Sequence, residues 1–320
     1  MDDIGFIKGF TFGWTAKKGE YRTAETIDSL DKLKETGTKW IALSFDIKQK
    51  DFHSTEISFD YGYTVTDREI TFVIEQAHKK GMQVCLKPVI NLKNELWRAR
   101  INFPDEANSH WDSWFQSYTN FITHYAEIAE ETNCKMLCIG CEMLGTERKE
   151  KHWRKVIEAI RNVYSGFITY NANHGKEDNV KWFDAVDIIG TSAYYPVATL
   201  SDSSEETMLM AWEAAKGHLY NLHKQYNKQI LFMEIGCRSA NGCSTMPWDS
   251  YTDLSFNEDE QARFYNTALK AFWNEPWFSG FFWWDWKHHL YHLEDAKKDK
   301  DFSIYGKKAE LIIKQWYSKP

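Results

Sequence analysis

Two glutamates close short apolar runs, in Cys138-Ile139-Gly140-Cys141-Glu142 and in Phe232-Met233-Glu234-Ile235-Gly236. If these runs are the fourth and seventh strands of an eight-stranded barrel, both carboxylates stand on its C-terminal rim and face one cleft. Facing carboxylates ringed by tryptophans are the equipment of glycoside hydrolysis. A retaining reaction needs them roughly 5–5.5 Å apart and an inverting one roughly 6.5–9.5 Å, and the sequence admits both. The carboxylate that attacks the anomeric carbon must stay ionised, which hydrogen bonds and nearby positive charge favour. Glu234 suits that part, with Arg238 four residues on and Tyr194 within reach from the sixth strand. The other must hand a proton to the leaving oxygen, so it needs a carboxyl raised by burial or by repulsion from the first. Glu142 takes this part. A single glutamate at a strand end is more often a salt-bridge partner. Two on these strands, with Trp283, Trp284 and Trp286 on the last, favour a functional pair.

The elements that must position the pair recur through the whole chain. Apolar runs occupy Phe6 to Gly13, Trp40 to Phe45, Met82 to Ile90, Met136 to Cys141, Gly166 to Asn171, Val186 to Tyr194, Ile230 to Ile235 and Gly280 to Trp284. Most are continuous rather than alternating, as in strands buried on both faces of a parallel sheet. Between them lie amphipathic segments. Residues 67–80 place Ile70, Val73, Ile74 and Ala77 on one face, with a Thr66/Glu69 capping box before them and Gly81 after. Residues 150–164 and 206–226 carry similar stripes, and Gly37 closes a first helix bearing Ile27, Leu30 and Leu33. Strand then helix, eight times, predicts an α/β chain folded as a single (β/α)8 barrel over residues 1–320. Only about 15 residues separate the fifth and sixth strands, so that helix must be short, near Val180 to Phe183. The stretches after the third strand (Asn91 to His110, with Trp97, Arg98 and Arg100, and Trp111 and Trp114 just beyond) and after the seventh (Arg238 to Asn257, with Trp248 and Tyr251) read as long aromatic loops on the active face.

Composition narrows the function classes. The 320 residues carry a net charge of −7 and no basic patch, which argues against a nucleic-acid partner. No run of 18 apolar residues predicts a membrane span. The first residues lack a basic and apolar leader pattern, so a cytoplasmic location is expected unless a leader has been trimmed. Four of six cysteines (Cys85, Cys138, Cys141 and Cys237) fall in or beside strand-like runs, as buried reduced thiols do. Cys138 and Cys141, three apart on a strand, are expected to face opposite sides, which excludes a redox or zinc pair. His288, His289 and His292 lack suitably spaced companions beyond Glu294 and Asp295, and no metal is expected. No phosphate-cradling loop is present and no cofactor is implied. Aromatics make up 16% of the chain with 15 tryptophans, of which roughly one third are assigned to sugar stacking and the rest to packing.

Taken together, Leu86-Lys87-Pro88, Cys138-Ile139-Gly140-Cys141-Glu142, Thr169-Tyr170-Asn171-Ala172-Asn173, Ala193-Tyr194-Tyr195-Pro196, Met233-Glu234-Ile235-Gly236-Cys237-Arg238-Ser239 and Phe282-Trp283-Trp284 resemble glycoside hydrolase family 113, in order and over nearly the whole chain. The family comprises β-mannanases of the large retaining barrel clan. The resemblance implies hydrolysis of β-1,4-mannosidic bonds in mannan or mannooligosaccharides with retention, Glu142 as acid/base and Glu234 as nucleophile. It implies that Tyr194 holds the nucleophile, that Trp284 floors the cleaved subsite, and that Trp14, Lys87, Asn91 and Arg238 contact sugar. The chain departs from the clan at Cys141, where most members have an Asn that binds the sugar 2-hydroxyl; another residue must then hold that group. It also lacks a histidine after Lys87-Pro88. Two neighbouring readings stay open, an exo-acting β-mannosidase or transglycosylase and a non-catalytic carbohydrate-binding barrel. Carboxylate oxygens more than about 10 Å apart would favour the last.

Overall fold

A computed structural model describes residues 4–60 and 62–320. Residues 1–3, where the stretch read for a leader begins, lie outside the described residues. Eight parallel strands close in sequence order into a barrel: β1 (Ile7–Phe12), β2 (Trp40–Gln49), β3 (Gln83–Leu92), β4 (Met136–Cys141), β5 (Phe167–Asn173), β6 (Ile188–Ser192), β7 (Ile230–Ile235) and β8 (Phe278–Trp286). Seven α-helices among the described residues sheathe it: α1 (Ala24–Glu35), α2 (Asp67–Lys79), α3 (Asn108–Glu131), α4 (Glu150–Arg161), α5 (Glu205–Tyr226), α6 (Glu258–Phe272) and α7 (Lys308–Tyr317). The predicted (β/α)8 barrel is therefore the fold. No described helix is long and apolar enough to cross a membrane.

Local chemistry accounts for the helices. Thr66 and Glu69 form the predicted reciprocal box at the start of α2, satisfying amides that the first turn leaves free. Ser204 caps α5 and Asn257 caps α6 through their side chains. The buried stripe of α2 is Ile70, Val73, Ile74 and Ala77, as the spacing requires.

The fifth unit corrects the sequence reading. Between β5 and β6 there is no α-helix, only two 3-10 turns at Glu177–Asn179 and Phe183–Ala185. The linker is too short for a helix to cross the barrel wall, and indoles cover the gap. Trp182 is fully buried and stacks on Trp153 of α4, with ring centres 4.9 Å apart and planes 15° apart.

The core has two layers. Inside the barrel, Trp40, Cys85, Met136, Cys138, Leu231, Met233 and Phe282 fill the lower lumen. A larger layer packs the outer strand faces against the helices. Trp111 and Trp114, read as cleft aromatics, belong to that outer layer. They lie on α3 and are 1% and 0% exposed, because α3 begins before them. Trp283 and Trp286 are buried there too. Strand β2 runs past its apolar run from Asp46 to Gln49 and β3 from Asn91 to Leu92, and these ends carry Asp46, Lys48 and Asn91 to the rim.

Candidate active site

Above the apolar lumen the inward positions turn polar, and four of them converge on Glu234. Lys87 from β3 reaches Glu234 Oε1 at 2.5 Å, in a pair that is almost wholly buried. The Cys141 thiol donates to the same oxygen at 3.3 Å and Asn171 Nδ2 donates at 3.2 Å. Tyr194 Oη donates to Oε2 at 3.1 Å. Burial pushes the Glu234 carboxyl upward, but Lys87 and then Arg98 outweigh it and hold the group below the ordinary glutamate value. Burial equally disfavours the Lys87 ammonium, and Glu234 more than offsets this, so Lys87 keeps its proton above the usual lysine range. Burial and then the Glu234 charge raise the Cys141 thiol, which therefore remains an S–H donor.

Cys141 sits at a register break. Pairing of β4 with β5 shifts between Cys138 and Cys141, so counting in twos from Cys138 fails. Cys138 packs in the barrel interior and Cys141 also points inward, contrary to the expected opposite faces. The pair still makes no disulfide, as all six cysteines are free.

Glu142, one residue on, is held in another way. Its φ is 53°, in the left-handed region that costs a side-chain-bearing residue roughly 1–2 kcal/mol. Its amide donates to Asn171 O at 2.8 Å. Among the described residues its carboxylate is met only from the loop after β3, by Arg98 Nη2 at 3.1 Å and by Trp97 Nε1 at 3.3 Å. The sequence reading asked for burial or repulsion around Glu142, and the structure puts a guanidinium there instead. Arg98 also donates from Nε to Cys141 O at 2.9 Å and from Nη1 to Asn91 Oδ1 at 2.9 Å. Contacts therefore run from Glu142 Oε2 through Arg98 Nη2 to Cys141 Sγ and on to Glu234 Oε1, at 3.1, 3.4 and 3.3 Å. They bound the separation of the carboxylate oxygens at no more than about 10 Å, the outer limit for either stereochemical course.

Both carboxylates open onto one cleft of about 770 Å³. Of the residues predicted from sequence, Trp14, Asn91, Glu142, Tyr194, Glu234 and Trp284 line it. Trp14 and Trp284 form one wall, with ring centres 5.3 Å apart. Gly236 lets β7 approach β8 closely there, since a Cβ at that position would meet Trp284 O at 2.4 Å.

Two assignments change. Lys87 is completely buried behind Glu234, so it is a partner of the carboxylate and not a cleft-lining contact. Arg238 does not reach Glu234. It donates to Thr252 O at 2.7 Å and Lys300 O at 3.2 Å and faces Asp249, bracing the loop that carries Trp248, Ser250 and Tyr251 into the cleft. The separation of four residues put it on that loop, not on the strand. Four of the 15 tryptophans (Trp14, Trp97, Trp248 and Trp284) line the cleft, near the expected third.

Sequence reasoning missed Asn171, Asn173, His174 and the contacts of Arg98 as site features. Asn171 and Asn173 alternate along β5, so the quoted Thr169-to-Asn173 motif contained the signal. Asn173 lines the cleft, and its Oδ1 has no hydrogen-bond partner among the described residues. His174 stacks on Trp248 with ring centres 5.4 Å apart, and burial lowers its proton affinity. Among the described residues no group of three or more His, Cys, Asp or Glu is placed to hold a metal ion. His288 contacts Glu20 at 3.3 Å, apart from any such group.

Comparison with known proteins gives a consistent result. The model of Glycoside Hydrolase Family 113 matches residues 10–307. A structure described as a complex of a family 113 β-1,4-mannanase is 38% identical, with a TM-score of 0.92, and the match covers 99% of this chain and 100% of that one. A family 113 β-mannanase from Alicyclobacillus acidocaldarius in complex with ManMIm is also 38% identical, with a TM-score of 0.91 and coverage of 99% and 98%. The β-glucuronidase of Faecalibacterium prausnitzii shares the fold alone, at 12% identity and a TM-score of 0.64 over 49% of its length. The comparison with curated proteins gave no match.

Proposed function

The chain belongs to glycoside hydrolase family 113, and from that premise we propose that it is a retaining endo-β-1,4-mannanase acting on mannan or mannooligosaccharides. The observation that carries the reading is the unequal setting of two carboxylates joined through Arg98 and Cys141. Glu234, ionised by Lys87 and aimed by Asn171 and Tyr194, attacks the anomeric carbon and forms a glycosyl ester. Glu142 protonates the departing glycosidic oxygen. It then takes a proton from the water that cleaves the ester, and the two inversions give net retention.

The cleft accounts for an oligosaccharide chain. Its volume lies in the upper part of the range of roughly 300–1,000 Å³ for pockets that enclose drug-sized ligands. Trp14 and Trp284 offer apolar faces on one side, and Trp97 and Trp248 line it from the loops after β3 and β7. With Asn replaced by Cys141 before the acid/base, Asn173 is the cleft-lining amide nearest in kind to the missing partner.

The test is a product profile on mannohexaose, with cellohexaose as control, followed by NMR of the anomer released first. Internal cleavage of mannohexaose with the β-anomer appearing first is expected. Equal turnover of cellohexaose would refute the mannan specificity, and an α-anomer first would refute retention.

A further inference from the structure

A left-handed glutamate at the end of a strand needs something to hold it, and the means lies outside the cleft. Two peptide groups flank Glu142. The one before it donates to Asn171 O at 2.8 Å. The one after it, through Met143 N, donates to Tyr170 Oη at 3.1 Å. Tyr170 in turn donates its single hydroxyl hydrogen to Glu147 Oε1 at 2.7 Å. The direction is forced. A phenol has one hydrogen, and a backbone amide cannot accept it, so Glu147 must take it for the oxygen lone pair to face Met143 N–H. A carboxyl accepts at one oxygen whether or not the other carries a proton, so the arrangement holds in either state.

Tyr170 and Glu147 are walled off from substrate, at 0% and 1% exposure. Trp153 and Trp182 box the phenol ring edge-on, at 5.3 and 4.8 Å. Their indole N–H groups donate to Thr146 O and Glu147 O, which fixes the turn after β4. Gly140 leaves room for the ring, since a Cβ there would meet Tyr170 Cε2 at 2.8 Å. Glu147 Oε2 has no partner among the described residues. A buried carboxyl with an idle oxygen weakens the fold, which calls for a reason to keep it. Burial, against the Tyr170 hydrogen bond, brings this carboxyl up to about 7.

On the reading of Glu142 as acid/base, we propose that Tyr170 and Glu147 are its positioning residues, holding the left-handed turn from the outer face of the barrel wall. Strand β5 then serves both carboxylates by its alternation, Asn171 inward to Glu234 and Tyr170 outward to the turn at Glu142.

The test compares kcat/KM on mannotetraose, whose leaving group needs a proton, with that on a dinitrophenyl β-mannoside, whose leaving group does not. Tyr170→Phe is expected to lose roughly tenfold or more on mannotetraose and less than about threefold on the aryl substrate, because only proton donation is misplaced. Glu147→Leu should repeat this split. Glu147→Gln, which keeps an acceptor oxygen, should stay within about twofold of the parent on both substrates. Equal losses on the two substrates, or none, would overturn the proposal, and Glu147→Leu decides it if Tyr170→Phe does not fold. Glu142→Ala is the reference. If it shows no leaving-group split, the acid/base reading itself fails; if it does and the Tyr170 and Glu147 variants do not, only the positioning proposal fails.

Discussion

The ends of β4 and β7 present the same side chain at the same rim in opposite ways. At β7 the carboxylate itself is bound: donors from β3, β4, β5 and the segment after β6 reach Glu234, while its backbone stays extended within the strand. At β4 the backbone is bound: amides on both sides of Glu142 are fixed, while among the described residues the carboxylate meets only Trp97 and Arg98 from one loop. The contrast follows from what each group must do. A nucleophile holds one charge state until it attacks, so fixed donors help it. An acid/base must gain and lose a proton in each turnover, and among the described residues both donors meet Oε2 of Glu142, which leaves Oε1 to carry the proton. Precision is then supplied through the main chain.

Removing the β7 carboxylate should have the largest effect. Glu234→Ala is expected to be inactive, because covalent attack is lost. Azide with an activated aryl β-mannoside should restore turnover and give the α-mannosyl azide, identifiable by NMR. The β-azide would mean that the two ends of the comparison are exchanged.

Next comes the cation behind Glu234. Lys87→Met removes the strongest influence that lowers this carboxyl, so its proton affinity rises. At fixed pH below neutrality, kcat/KM should fall by roughly a hundredfold. The sign is checkable. A lowered carboxyl is ionised down to lower pH, so losing Lys87 moves the acidic limb of the pH–kcat/KM profile to higher pH. An unmoved limb would show that Lys87 acts only in packing.

The smallest effect is expected at Cys141, which touches both regions. Cys141→Ser keeps a donor to Glu234 and nearly keeps the volume, so kcat/KM on mannotetraose should fall by less than about tenfold, or roughly 1.4 kcal/mol. A loss as deep as that of Glu142→Ala, with folding intact, would give the thiol a catalytic part that its geometry does not suggest.

The two ends also differ in how far they could be read from sequence. Both glutamates, the barrel and the α2 capping box follow from apolar runs and periodicity, which are local, whereas the Tyr194 contact is what the family resemblance implies. The resemblance gives Lys87 to sugar, and nothing local in the sequence pairs it with Glu234, 147 residues away across the lumen. Cys141 was misplaced because period-two counting fails at a bulge, and register breaks cluster near the rim, at Cys138/Cys141, Thr191/Ser192 and Phe232/Ile235. Arg238 was linked to Glu234 by sequence separation alone, although it had already left the strand. The helix expected in the fifth unit gave way to indole packing, which no periodicity announces.

The left-handed backbone at Glu142 sets the demands of folding against those of turnover. Glycine and, after it, asparagine adopt that conformation more readily than glutamate, so the residues that suit the backbone best there cannot act as the acid. Selection for heat resistance alone would drift toward one of them at position 142, and the hardened protein would no longer cleave its substrate. Function-blind stabilisation of this barrel must therefore leave position 142 fixed, since melting temperature rewards its loss.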